Sequence, residues 1–89
     1  MEIVKQTNGT ELTVAVKGRL DTTTAPSLEA ELHASLNGVT KLVLDFSALE
    51  YISSAGLRVL LSEQKYLNSV NGKMTLKNVN ETIMEVFEV

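Results

Sequence analysis

Leu42, Val43 and Leu44 stand together in a run of strand length, Lys41 to Phe46, that is apolar at consecutive positions rather than alternate ones. A strand with no polar face must be covered on both sides, so it takes a central place in a sheet that carries packed layers. The flanking segments supply cover. Residues 25–37 put Leu28, Leu32 and Leu36 at four-residue spacing, with Glu29, Glu31 and His33 off that stripe. Residues 55–69 put Leu57, Leu60, Leu61, Gln64 and Leu67 on one face, with Arg58, Glu63 and Lys65 mostly off it. Both patterns are those of amphipathic helices. Thr24 suits the N-cap of the first helix, Pro26 its first turn and Gly38 the position past its end, while Asn71-Gly72 stops the second.

The rest of the chain alternates in the same way. Residues 2–7 and 10–17 flank Asn8-Gly9, the dipeptide that tolerates positive φ at both centres of a type I′ turn, so the chain opens with a β-hairpin. In its second strand Leu12, Val14 and Val16 alternate with Glu11, Thr13, Ala15 and Lys17, and Gly18-Arg19-Leu20-Asp21 ends it. Met74 and Leu76 alternate in a fourth strand, and residues 78–89 begin a third helix through Val79, Ile83, Val86 and Phe87. The order β-β-α-β-α-β-α predicts an α/β fold: right-handed crossovers between parallel strands, a mixed sheet, and helices packed on one face.

Bulk properties narrow the function. With 89 residues the chain holds one domain and one modest core. It has no cysteine, so there is no disulfide framework and no thiolate for metal, redox or nucleophilic work. Eight basic against eleven acidic residues, a net charge of −3 and no Lys/Arg cluster argue against nucleic acid as a partner. The N-terminus enters strand-like sequence without the basic start and apolar core of a signal peptide, and no apolar stretch approaches the ~20 residues of a membrane span. The expectation is a soluble, cytoplasmic protein with no membrane association.

The chemistry concentrates where the central strand breaks at Asp45 and a helix resumes after Ser53-Ser54. If the strands ending near Lys17 and Phe46 are parallel, Asp21, Asp45 and the loop up to Ser54 emerge at one carboxyl edge, where open α/β sheets tend to hold ligands. A serine before Ala55-Gly56-Leu57 has three available roles: N-cap, nucleophile and phosphate acceptor. The nucleophile reading lacks a base, because the only histidine, His33, sits on the mid-face of the first helix. With no neighbouring His or Cys, His33 is a surface residue and no metal site is expected. Asp21 and Asp45 read either as paired carboxylates or as loop caps. Ser54 reads as the cap, with Ser53 an ordinary loop residue and the rival acceptor. A phosphate at Ser54 would meet free amides and the positive helix end. Gly56 in the first helical turn marks close approach, either of a packed neighbour or of a partner.

Gly18-Arg19-Leu20-Asp21, then Leu42-Val43-Leu44-Asp45-Phe46-Ser47, then Tyr51-Ile52-Ser53-Ser54-Ala55-Gly56-Leu57 together resemble the STAS domain of bacterial anti-sigma factor antagonists. The resemblance runs from about residue 3 to the C-terminus. It implies a non-enzymatic regulator of transcription, without cofactor, metal or catalytic residues. Unphosphorylated, such a protein binds an anti-sigma factor that is itself a serine kinase. Phosphorylation of one serine ends the binding, and a serine phosphatase resets the cycle. The acceptor falls on Ser54, two positions before Gly56, and the implied partner surface comprises Asp21, Thr22, Ser53, Ser54, Ala55, Gly56 and Arg58. Many members carry aspartate where this chain has Ser53, which keeps Ser53 open as the acceptor. Members usually continue past the position of Val89, so the expectation is one domain, residues 1–89, with a short or truncated C-terminal helix. The alternative is a STAS module that binds a regulatory partner or a nucleotide without being phosphorylated.

Overall fold

The computed structural model describes the backbone of residues 1–88 and the side chains of residues 1–85. Its elements are β1 (Glu2–Asn8), β2 (Glu11–Leu20), α1 (Ala25–Ser35), β3 (Lys41–Asp45), β4 (Leu49–Ile52), α2 (Ser54–Ser69), β5 (Lys73–Lys77) and α3 (Glu81–Glu88). The sheet runs β1-β2-β3-β5, with β4 also paired to β2. β1 is antiparallel to β2, and the β2–β3 and β3–β5 pairs are parallel, so the sheet is mixed as expected. The apolar run is central: Leu42, Val43 and Leu44 are all buried, between β2 and β5.

The opening hairpin closes one residue later than Asn8-Gly9 predicts. Asn8 pairs with Glu11, which leaves Gly9 and Thr10 as the central residues, and of these Gly9 alone has positive φ, at 63°. A single positive φ at the first centre belongs to the type II′ turn, which needs only one glycine.

β2 also outruns its expected end at Lys17. At Gly18, whose φ is 90°, the register shifts, and Gly18–Leu20 then pair in parallel with β4. The extra residue is Glu50 on β4, so Gly18 lies opposite a bulge inside a long strand and is not its terminator. The four-residue β4 is an element that period-two patterning does not reveal. Its buried residues, Leu49 and Ile52, lie three apart because the pairing crosses that bulge.

α1 and α2 lie side by side, and their inward residues join those of the sheet in one core. Leu28, Leu32 and Leu36 are buried as the α1 stripe predicts. The buried set of α2 is Gly56, Val59, Leu60, Glu63 and Leu67, so the helix is rotated from the expected face: Leu61 is 62% exposed and Glu63 fully buried. α3 begins at Glu81 rather than Asn78, because Asn80 caps it. The Asn80 side-chain oxygen accepts from the Ile83 amide (2.9 Å), while its Nδ2 donates to the Leu49 carbonyl (3.1 Å). Ile83 is buried, and the expected contributions of Val86 and Phe87 lie outside the residues whose side chains are described.

Between α2 and β5 the chain turns through Asn71, with φ of 59°, and Gly72. A Cβ on Gly72 would meet the Thr40 carbonyl oxygen at 2.8 Å, and that same oxygen accepts from the Lys73 amide at 2.8 Å. The obstruction is backbone that a ladder bond holds in place. Gly72→Ala is therefore expected to lower stability by about 1–3 kcal/mol, read as a fall in the urea midpoint with unchanged slope.

Candidate functional site

The site is assembled where β2 and β4 end together. Leu20 pairs with Ile52, and the Ser53 amide donates to the Leu20 carbonyl at 2.9 Å. Asp21 and Ser53 therefore leave adjacent parallel strands at the same edge. Asp21 folds its segment into a turn: its Oδ1 accepts from the amides of Thr23 (3.0 Å) and Thr24 (3.1 Å), and its carbonyl accepts from the Ala25 amide at 2.8 Å. The aspartate thus organises the approach to α1. Thr24, the expected N-cap, makes no side-chain cap bond; its hydroxyl donates to the Arg19 carbonyl at 2.9 Å and accepts from the Asp21 amide at 2.9 Å.

The two serines divide differently from the sequence expectation. Ser53 has extended backbone (φ −99°, ψ 175°) and is the N-cap of α2, its Oγ accepting from the Gly56 amide at 3.4 Å. Ser54 is the first helical residue, exposed and already in helical conformation, so its hydroxyl has no cap role. An N-cap needs a non-helical backbone for its side chain to turn back onto the first-turn amides, and only Ser53 has one.

Gly56 is buried, and a Cβ there would meet Ile52 Cγ1 and Leu20 Cγ, both at 2.8 Å. Close packing accounts for it, so it sets the seating of α2 and does not form part of the exposed surface. Beside Ser54 an open groove of ≈ 300 Å³ runs between the starts of α1 and α2, lined by Thr22, Ala25, Pro26, Glu29, Ala55, Arg58 and Val59. Its floor is apolar and its rim carries Glu29 and Arg58. Among the described residues Arg58 has no ion pair.

On the other flank, Arg19 stacks over the Tyr51 ring at 4.3 Å from its centroid, and its Nε lies 3.9 Å from Asp21 Oδ2. The Thr24 amide, above all, holds the Asp21 carboxyl below the usual carboxylate range, and the Thr23 amide, the Thr24 hydroxyl and Arg19 act in the same direction against partial burial. Asp21 is a fixed negative charge at neutral pH. The Tyr51 stack and the groove-lining Pro26 and Glu29 escape sequence reasoning, since the first depends on the Arg19–Tyr51 register of the unforeseen β4 and the others on the placement of α1.

Asp45 does not join this cluster. It pairs with Ala15, six residues before Asp21 on β2, or about 20 Å of extended chain. Its Oδ1 accepts from the Ser47 amide (3.0 Å) and Asn78 Nδ2 (3.1 Å), contacts that hold its carboxyl below the usual range. It is a loop cap, and the expected convergence fails because β4 replaces β3 beside the end of β2. His33 is an exposed helix residue, as expected, but it has an unforeseen neighbour: its Nε2 lies 3.3 Å from Oε1 of buried Glu63. Among the described residues no group of three or more His, Cys, Asp or Glu is placed to hold a metal, and no helix is long and apolar enough to cross a membrane.

A family model of the STAS domain matches residues 2–89. BtrV of Bordetella bronchiseptica, named as a candidate anti-sigma factor antagonist, is 42% identical over 79 residues, which are 88% of this chain and 68% of that protein. Among solved structures, the anti-sigma factor antagonist SpoIIAA in its unphosphorylated form matches with a TM-score of 0.83 at 21% identity, covering 98% of this chain and 82% of that one. The phosphorylated form of SpoIIAA, a Bacillus cell fate determinant, matches with a TM-score of 0.82 at 21% identity, over 98% and 81% of the two chains. An anti-sigma factor antagonist from Mycobacterium paratuberculosis gives 0.69 at 20% identity, over 99% and 94%. The structural likenesses establish the fold, and with the full-length family match and the Bordetella relative they place this chain in the STAS-domain family of anti-sigma factor antagonists.

Proposed function

We propose that this protein is a phosphorylation-controlled partner switch that acts without catalysis of its own. Unphosphorylated, it binds an anti-sigma factor that is also a serine kinase, through Asp21, Thr22, Ala55, Arg58 and the α2 start. Phosphorylation of Ser54 ends that contact, and a serine phosphatase restores it. The observation that carries this reading is the separation of the two serines: Ser53 holds the helix cap, which leaves the exposed Ser54 hydroxyl free of structural duty.

The physical effect follows from the surroundings. A phosphoserine brings about −1.5 to −2 charges to an edge that already carries the fixed charge of Asp21. The fold tolerates it, since the N-terminal end of α2 favours an anion. Arg58, four residues on along the same helix, is within reach of such a phosphate and would be drawn from the groove rim. Acidic groups of a partner would then meet repulsion where they had met a free guanidinium. No change of fold is needed, and this chain matches the two phosphorylation states of SpoIIAA almost equally well.

Incubation with the anti-sigma kinase of the same genome and ATP, followed by intact mass measurement, tests the acceptor. One phosphate is expected on the wild type and on Ser53→Ala, and none on Ser54→Ala; phosphate arriving on Ser54→Ala would refute the assignment. In binding measurements Ser54→Asp should weaken the kinase complex at least tenfold, roughly 1.4 kcal/mol, and undiminished binding would instead favour a STAS module with a fixed partner. Stability separates the two serines independently: Ser53→Ala should cost about 0.5–2 kcal/mol, toward the lower end because its cap bond is 3.4 Å long. Ser54→Ala should stay within about 0.5 kcal/mol of the wild type.

A further inference from the structure

Among the described residues Glu63 is the one charged side chain that is buried, and neither of its carboxyl oxygens has a hydrogen-bond partner. Packing alone would favour an apolar residue here, since a buried carboxylate without donors is destabilising. What faces it is His33 on α1, with Nε2 3.3 Å from Oε1 and a ring that remains 55% exposed. The acid is therefore sealed in the α1–α2 seam while its neighbour touches water. A proton can enter or leave through the ring without the helices first parting.

The other charges around the pair are few. Glu29, one turn before His33 on α1, acts on Glu63 as a like charge, and His33 as an opposite one. α2 also packs on β4 and β5. Those strands place Leu49, Ile52, Met74 and Leu76 in or against the core, and their charged residues Glu50, Lys73 and Lys77 are exposed. Val59 and Glu29, each one turn nearer the helix starts than the pair, line the groove beside Ser54.

We propose that His33 and Glu63 form a proton-operated latch that holds α1 against α2 and, with them, the walls of that groove. While the pair retains a proton, the seam contains either a neutral acid or a carboxylate facing an imidazolium. When the last proton leaves to solvent through the exposed ring, a bare carboxylate remains in the seam, and α1 and α2 separate more readily.

The direction of the pH effect follows. Burial, foremost, pushes the Glu63 carboxyl above its ordinary range; Glu29 adds to this and His33 opposes it. Glutamate in the unfolded chain titrates near about 4.3. The native state therefore holds the extra proton above that pH, so the stabilisation is complete below it and is lost as pH rises through the native value.

Melting temperatures of the full chain, Glu63→Gln and His33→Gln, taken from pH 4 to pH 9 at fixed ionic strength, test the latch. The wild type should lose roughly 4–8 °C more across that interval than Glu63→Gln, whose side chain cannot ionise. His33→Gln should melt below the wild type at pH 6 and coincide with it at pH 9. Amide exchange, corrected for intrinsic rates, should quicken in α1 and α2 at pH 9 in the wild type but not in Glu63→Gln. The slope decides even if Glu63→Gln melts lower throughout. Parallel curves for the wild type and Glu63→Gln, or His33→Gln matching the wild type at pH 6, would overturn the proposal.

Discussion

Three residue pairs, Gly18–Leu49, Arg19–Tyr51 and Leu20–Ile52, join the end of β2 to β4, and the α2 edge hangs from them. This short ladder brings Asp21 and Ser53 to the same sheet edge, and the Ser53 amide continues the connection with its bond to the Leu20 carbonyl. Leu20 and Ile52 then form the surface on which the first turn of α2 rests. Only a residue without Cβ fits there, since any other at position 56 would meet both side chains. The direction in which Ser54 leaves the domain is thus set by a ladder of three pairs and one glycine.

On that platform neighbouring polar residues take separate tasks. Ser53 closes the helix end, Asp21 orders the turn into α1, and Thr24 ties that turn back to Arg19. Apart from these contacts, Ser54 and Arg58 are left at the surface beside a groove with an apolar floor. The framework of this edge thus depends on residues other than the exposed Ser54.

Much of the fold was legible in the chain. Consecutive apolar residues identified β3 as buried, four-residue spacing identified α1, and alternation identified β2 and β5, because those elements bury faces whose periodicity the sequence repeats. The α2 face was read one step out of phase: Leu61 reads as core on hydropathy, yet it is exposed, while Glu63 is buried opposite His33. A hydropathy stripe ranks residues by type, whereas the seating of α2 is decided by the glycine that lets its first turn approach the sheet. The family motifs pointed to Asp21 and Ser54, but they did not reveal that Ser53 is the cap.

The sequence by itself determined the order of the helices and the four strands with regular patterning, the central strand, the single-domain class, and a serine pair at a helix start. Only the tertiary structure decided which serine caps, that Asp45 stays with the β3 loop while Asp21 reaches the α2 edge, and that His33 meets Glu63. The first group depends on the identity and spacing of neighbours along the chain. The second depends on the register shift opposite Gly18, where β4 takes over from β3 beside β2, and on the packing of α1 against α2, contacts between residues whose separation in the chain carries no periodic signal.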